Sequence, residues 1–280
     1  MSDYKFDMHV HTSETSACGE VAGAEVARLY HEAGYQGIMI TDHYHKIYFD
    51  GLGTVDWQQK TETFLNGYRA AKQEGDKIGL DVLLGMEFRN IETDNDFLII
   101  GVTEQFLHRH PKTYELPLQQ AISLFHENGM LVIQAHPVRF HMVVKREGRI
   151  FRNFQNSEML EMIRQTPDIQ EVSNSEWEAA AVKGETDRFR YPLILRVCEL
   201  QCENILDGIE VYNGNFHWSQ RPEAIQKIVE RHPEYIQVSC SDCHETGHVA
   251  RGGIRISRRV KNSQELKQVL QSREVVGLIK

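Results

Sequence analysis

Histidines and acidic residues recur in this chain at one kind of place, the end of a short apolar run. "YKFDMHV" (4–10) leads into His9-Val10-His11, and "QGIMIT" (36–41) leads into Thr41-Asp42-His43. "DVLLGMEF" (81–88) carries Glu87, "MLVIQA" (130–135) runs into His136-Pro137, and "YIQVSC" (235–240) runs into Asp242 and His244. Each has an ordinary explanation on its own. Asp42 could cap the next helix, and the run before Pro137 could simply be a strand stopped by proline. Their recurrence in one structural position points to a shared site. Imidazole and carboxylate together suit Zn²⁺, Mn²⁺ or Fe²⁺ rather than the all-oxygen preference of Ca²⁺. The set exceeds the roughly four to six ligands of one ion, so two or three ions are expected. Ions about 3.5–4 Å apart activate a bridging hydroxide and clamp the attacking and leaving oxygens of a phosphoryl displacement. No serine or cysteine nucleophile is then required.

The elements that must position these residues follow from the same runs. Further apolar runs lie at "DFLIIGV" (96–102), "DGIEVY" (207–212) and "EVVGLI" (274–279). Most are continuously apolar rather than alternating, as strands buried on both faces should be. Helical patterns fall between many of them, at 24–34, 118–129, 221–233 and 262–273. Strand–helix alternation predicts a parallel α/β sheet, doubly wound or closed into a barrel. No GxGxxG follows the first strand, which removes support for a dinucleotide fold. In a parallel barrel the strand ends converge on one rim, where barrel enzymes keep their chemistry. Residues 137–205 interrupt the alternation and read as a mostly helical excursion, a candidate lid, within one domain spanning 1–280.

The 280 residues are 41% hydrophobic and 25% charged, as in a soluble globular protein. No apolar run has a membrane span's length, and "MSDYKFDMHV" does not read as an export signal. The expected location is cytoplasmic. Five cysteines, an odd number, argue against a disulfide framework. A net charge of −9 argues against broad electrostatic capture of nucleic acid.

In order along the chain, HxH, TDH, a strand-end Glu, AHP and a late S-D-x-H resemble the polymerase and histidinol phosphatase (PHP) family. The resemblance covers nearly the whole chain. It implies a distorted seven-stranded (β/α)7 TIM-like barrel with a site of two or three divalent metals (Zn, Mn or Fe) at the C-terminal strand ends. It also implies phosphoester hydrolysis, with His9, His11, His43, Glu87, His136, Asp242 and His244 as metal ligands. Many members carry an S-D-G after HxH whose Asp is a ligand; here "HTSETSACGE" offers Glu14, the favoured substitute, or Glu20. Asp96 stands in for a histidine that many members carry after the Glu strand.

Substrate phosphate needs cations, and Arg139 and Arg251 lie near the motifs, with Gly252-Gly253 open to backbone approach by an anion. Lys145, Arg146, Arg149 and Arg152 form a candidate basic lid, and His217 and Tyr44 are candidate pocket residues. Cys198, Cys202, Cys240 and Cys243 read as packing residues despite the CxxC spacing, and His31, His108, His110, His126 and His232 read as surface. The expected activity is hydrolysis of a small phosphomonoester by a metal-bridged hydroxide, as in a histidinol-phosphatase-like enzyme. A phosphodiesterase or exonuclease acting on nucleic-acid ends is the enzymatic alternative, and a non-catalytic metal-binding regulatory module is the alternative outside catalysis.

Overall fold

Seven of the apolar runs form the wall of a nearly closed barrel. The computed structural model describes residues 3–93, 95–138, 201–215 and 222–280. Between 139 and 200 it describes 143–146, 149–152, 170–173, 176, 179–180, 182–185, 188–189 and 192–195. The strands are β1 (Tyr4–Val10), β2 (Gly37–Ile40), the two-residue β3 (His43–Tyr44), β4 (Asp81–Arg89), β5 (Asp96–Ile100) and β6 (Leu131–Gln134). They continue with β7 (Val143–Arg146), β8 (Arg149–Arg152), β9 (Gln170–Ser173), β10 (Pro192–Leu195), β11 (Gly208–Asn213), β12 (Ile236–Cys240), β13 (Gly253–Ile256) and β14 (Val275–Ile279). Helices α1 (Gly23–Glu32), α2 (Lys46–Gly51), α3 (Trp57–Phe64), α4 (Asn66–Ile78), α5 (Glu104–Arg109) and α6 (Leu118–Glu127) precede the excursion. Helices α7 (Pro222–Arg231) and α8 (Ser263–Gln271) follow it. No helix among the described residues is long and apolar enough to cross a membrane.

The sheet runs β12-β11-β6-β5-β4-β2-β1-β13-β14, with β3 paired to β4. β1, β2 and β4 pair in parallel, as do β6, β11 and β12. β5 is antiparallel to both neighbours. This is the barrel's distortion, and its cause is local: residues 90–95 are too few for the crossover of about a dozen residues that a parallel pair requires. Because β5 is reversed, its first residue, Asp96, stands opposite Arg89 at the end of β4. At the rim a parallel bridge between Val10 and Cys243 closes the ring. Further down, β13 pairs with β1 and β14 extends from β13.

Side chains explain the closure. Met39, Leu83, Leu98, Ile133 and Val238 share one buried cluster with Leu266, Val269 and Leu270 of α8. Intervening residues Ile38, Ile40 and Val82 join a second cluster with Val26, Ala27 and Tyr30 of α1 and Ala71 of α4. Cys240 belongs to the first cluster and Cys243 to the second, so the CxxC spacing serves packing and makes no dithiol pair.

The chain divides into two compact units, one of residues 1–137 and 200–280 and the other of residues 138–199. Against the expectation of a mostly helical excursion, most of the described residues of the second unit are strand, and the rest of that segment lies outside the described residues. β7 pairs antiparallel with β8, in register from Val143↔Arg152 to Arg146↔Arg149, and β10 pairs parallel with β9. Val143-Val144 and Ile150-Phe151 flank Glu147-Gly148 in sequence, a β-rich pattern around a glycine that fits a hairpin better than a helix. Arg139, Cys198 and His217 lie outside the described residues.

Gly252 and Gly253 have a structural reason of their own. A Cβ on Gly252 would overlap the Cys240 carbonyl, and Gly253 has φ +149°, which an L side chain rarely adopts. Because the obstacle is backbone, no rotamer change relieves it. Gly252→Ala should lower unfolding free energy in urea by about 3 kcal/mol; an unchanged midpoint would show that β12 and β13 have room to separate.

Candidate metal centre

Seven of the eight expected ligands meet at the C-terminal mouth of the barrel. Three overlapping donor sets form there: His9, Glu87 and His136; His9, His11 and Asp242; and His11, His43 and His244. Glu87 is central. One oxygen lies 3.0 Å from His136 Nε2 and 3.3 Å from His9 Nε2, while the other lies 2.6 Å from His43 Nδ1. Asp242 Oδ1 faces His9 Nε2 at 3.3 Å and His11 Nε2 at 3.2 Å. Each carboxylate is thus placed to be shared.

His9 Nε2, His11 Nε2, His43 Nδ1, His244 Nε2, Glu87 Oε2 and Asp242 Oδ1 are all buried without a hydrogen-bond partner. A protein does not leave this many buried polar atoms orphaned without a reason, since each costs about 1–3 kcal/mol. Their convergence, with mixed imidazole and carboxylate chemistry, fits divalent cations of the zinc, manganese or iron type.

The opposite ring nitrogens are held by the protein. His9 Nδ1 contacts Glu210 Oε1 at 3.2 Å, His11 Nδ1 contacts Ser16 Oγ at 3.2 Å, and His244 Nδ1 faces the Asp242 carbonyl at 2.9 Å. Each ring therefore turns Nε2 toward the centre, as partners behind metal-binding histidines do. Glu210 Oε2 also accepts from His136 N at 2.6 Å and Asn213 Nδ2 at 2.9 Å. Asn213 donates to Asp242 Oδ2 at 3.2 Å, which leaves Oδ1 to the cluster.

The protons divide accordingly. Burial would lower His9, but Asp242, Glu87 and Glu210 hold it well above its ordinary value. Burial together with the His244 and His43 rings brings His11 down to about 3. Burial would raise Asp242 and Glu87, yet His9 with His244, and His43 with His9, hold them well below the usual carboxylate range. Cations entering this cluster would displace protons from His9 and His43, so binding is coupled to proton release.

Asp42 of the TDH motif is a loop anchor. It accepts from Thr12 N at 2.8 Å, Thr12 Oγ1 at 2.7 Å and Ser16 Oγ at 2.7 Å. Thr41 Oγ1 accepts from Val10 N at 3.0 Å, tying the second motif to the first.

The expectation for Glu14 is corrected. It is exposed, and its oxygens accept from Gly23 N at 3.1 and 2.9 Å, so it serves the start of α1. Glu20 is exposed as well. The residue of this loop that reaches the cluster is Cys18, with Sγ 3.1 Å from His43 Nε2. Burial would raise its thiol, but His244 and His43 outweigh that and bring it to about 6. Asp96 comes within 3.7 Å of His136 Nε2, but both its oxygens are held by Arg89 at 2.6 Å.

Tyr44 is no pocket residue, since it is buried among Phe49, Phe64 and Phe88. His108, His126 and His232 sit part-exposed against Glu62, Asp207 and Glu203, away from the donor sets. Arg251 is exposed and makes no ion pair among the described residues. It follows Gly214 closely enough that a Cβ there would lie 2.6 Å from Arg251 Cβ. Sequence reading missed Glu210 and Asn213, although a charged residue inside the apolar run "DGIEVY" was a usable signal.

No protein-family model and no curated protein matches the chain. Solved structures do match. A two-domain protein from Bacteroides vulgatus, containing a predicted PHP-like metal-dependent phosphoesterase, aligns with 98% of this chain at 16% identity and a TM-score of 0.52. This chain spans 64% of that protein's chain. PsfC from Pseudomonas syringae aligns with 95% of this chain, and 88% of its own, at 11% identity and a TM-score of 0.49. PfuEndoQ, a lesion-specific endonuclease from Pyrococcus furiosus, aligns with 99% of this chain and 57% of its own at 12% identity, with a TM-score of 0.48. The Bacteroides likeness shows the fold and agrees with the PHP resemblance carried by the motifs.

The donor sets make the ion count measurable. After chelation and reconstitution with Zn²⁺, Mn²⁺ or Fe²⁺, elemental analysis should find at least two ions per chain; one or none would overturn a multinuclear centre. Glu87→Gln should lose at least one ion with the far-ultraviolet circular dichroism unchanged. Glu210→Gln should weaken metal affinity about 10–100-fold in competition with a chromophoric chelator, because His9 loses the carboxylate behind it.

Proposed function

We propose that this chain is a metal-dependent phosphoesterase that hydrolyses a small phosphomonoester. The observation that carries the reading is the convergence of five imidazoles and two shared carboxylates, with six buried atoms lacking partners, at the mouth of the barrel. When bound, ions at such a site lower the pKa of water and neutralise charge on phosphoryl oxygens.

The chain's own residues supply geometry and field. Glu87 and Asp242 each present an oxygen to more than one imidazole, so either carboxylate would be able to hold neighbouring cations together. Glu210 and Ser16 hold the rear nitrogens of His9 and His11, so the rings need no reorientation during turnover. Burial on the barrel side keeps water from approaching the donors from below. Arg251 is the candidate phosphate-binding residue. Its guanidinium is free of carboxylates among the described residues, and its charge acts on His248 and Tyr212. His248 Nδ1 in turn lies 3.4 Å from His244 N. In this reading the Arg251 guanidinium would meet the outer oxygens of a bound phosphate in a bidentate contact. Arg139, outside the described residues, is the other candidate.

A phosphate-release screen of metal-reconstituted protein over phosphomonoesters and phosphodiesters tests the reading. Turnover of monoesters supports it. Activity confined to diesters or nucleic-acid ends would replace it with a phosphodiesterase, and no turnover with any metal would leave a regulatory metal-binding module. Arg251→Ala should raise KM and weaken inhibition by inorganic phosphate with metal content unchanged, and Arg251→Lys should recover only part because a point charge lacks the planar fork. A fall in kcat together with kcat/KM would place Arg251 on the transition state.

A further inference from the structure

The loop after His11 turns back over the cluster. Thr15 N and Ser16 N both bond to Thr12 O, and Gly19 N bonds to Ser16 O. The return is tight at Gly19, where a Cβ would stand 2.8 Å from the Thr12 carbonyl carbon and oxygen. Asp42 fixes the turn from beneath through Thr12 and Ser16. The result points Glu14 outward and brings Cys18 in.

We propose that Cys18 is itself a metal ligand, forming with His43 and His244 a mixed thiolate–imidazole position beside the donor sets that contain Glu87 and Asp242. The inference rests on the metal centre described above and deepens it by assigning a soft donor to one position. Two independent observations support it. Cys18 Sγ lies 3.1 Å from His43 Nε2 and also lies against His244. His244 Nε2 is buried and has no hydrogen-bond partner, with the side chain only 6% exposed and Nδ1 already on the Asp242 carbonyl. His244 belongs to the donor set it forms with His11 and His43.

The spacing is right for shared coordination. A tetrahedral ion with bonds of about 2.0 Å to nitrogen and about 2.3 Å to sulfur holds those atoms about 3.5 Å apart. The observed contact needs to open by only a few tenths of an ångström. Binding would take the thiolate and release the thiol proton to solvent. Its chemical consequence is selectivity: sulfur shifts this position toward Zn²⁺, Fe²⁺ or Co²⁺ and away from Mn²⁺ or Mg²⁺.

Cobalt gives a readout independent of activity. Chelator-stripped, reduced protein is titrated with Co²⁺ while the near-ultraviolet thiolate-to-cobalt charge-transfer band and the bound stoichiometry are followed. The band should appear with one of the bound equivalents. Cys18→Ala should lose both the band and one equivalent, while Cys18→Asp should keep the stoichiometry, lose the band and shift that position toward Mn²⁺ by roughly tenfold relative to Zn²⁺. Cobalt binding without the band, or a band that persists in Cys18→Ala, would overturn the role of Cys18 and leave the rest of the centre standing. Failure of the unmutated chain to bind cobalt at all would overturn the centre and Cys18 with it.

Discussion

Two backbone hydrogen bonds, His11 N to Cys243 O at 2.9 Å and Cys243 N to His9 O at 3.2 Å, hold the first barrel strand against the last. Everything at the mouth depends on them. His9 and His11 come from one end of the chain and Asp242 and His244 from the other, and this bridge sets the two pairs face to face. Just below it, Asp7 accepts from Tyr30 Oη at 2.7 Å and from Ser241 N at 3.2 Å. Burial pushes the Asp7 carboxyl up to about 6 even against these hydrogen bonds. The closure therefore carries a polar strut through a part of the barrel that is otherwise apolar.

A cluster this rich in buried ionisable groups would not survive unless each group had a partner or a cation. The structure provides two layers. Glu87 and Asp242 share the imidazoles directly, while Glu210, Ser16 and Asn213 hold the far side of those groups and Asp42 holds Ser16. Glu210 reaches across strands, because it meets the His9 ring, the His136 backbone and Asn213 at once. Two parts of the centre that come from different strands are thereby fixed by one carboxylate, itself fully buried.

Much of this was legible in the sequence because barrel geometry converts strand ends into neighbours. All eight apolar runs became strands, and the seven residues carried over from the PHP resemblance came together, whereas the substitute Glu14 did not join them. What failed did so for local reasons. Glu14 was preferred to later residues because it is nearer His11 in sequence, but the Thr12–Ser16 turn reverses the chain, so proximity in sequence became separation in space. Cys18 carries no assignment from the sequence, because a thiol gives no spacing signal when its partners lie on other strands. The direction of β5 was readable from the length of its connection, and the hairpin at β7–β8 was readable from its β-branched pattern. The packing role of Gly252 was not readable, because only the fold places the Cys240 carbonyl against it.

The backbone at two ligands shows how firmly the mouth is specified. His136 has φ +28° and Asp242 has φ +52°, both in the region that L residues seldom occupy. Such conformations cost on the order of 1–3 kcal/mol each and persist only where the surroundings over-determine them. Here the surroundings do. His136 N is held by Glu210, and Asp242 is flanked by Ser241 on Asp7 and Cys243 on His9 while its Oδ2 is held by Asn213. In each case the left-handed turn comes immediately after the last residues of a strand, at the point where an extended chain would have carried the side chain past the mouth. Bending the backbone there turns the donor inward. The strain is thus spent at the places where strand geometry alone would miss the centre, and the network that pays for it is the same one that orients the histidines.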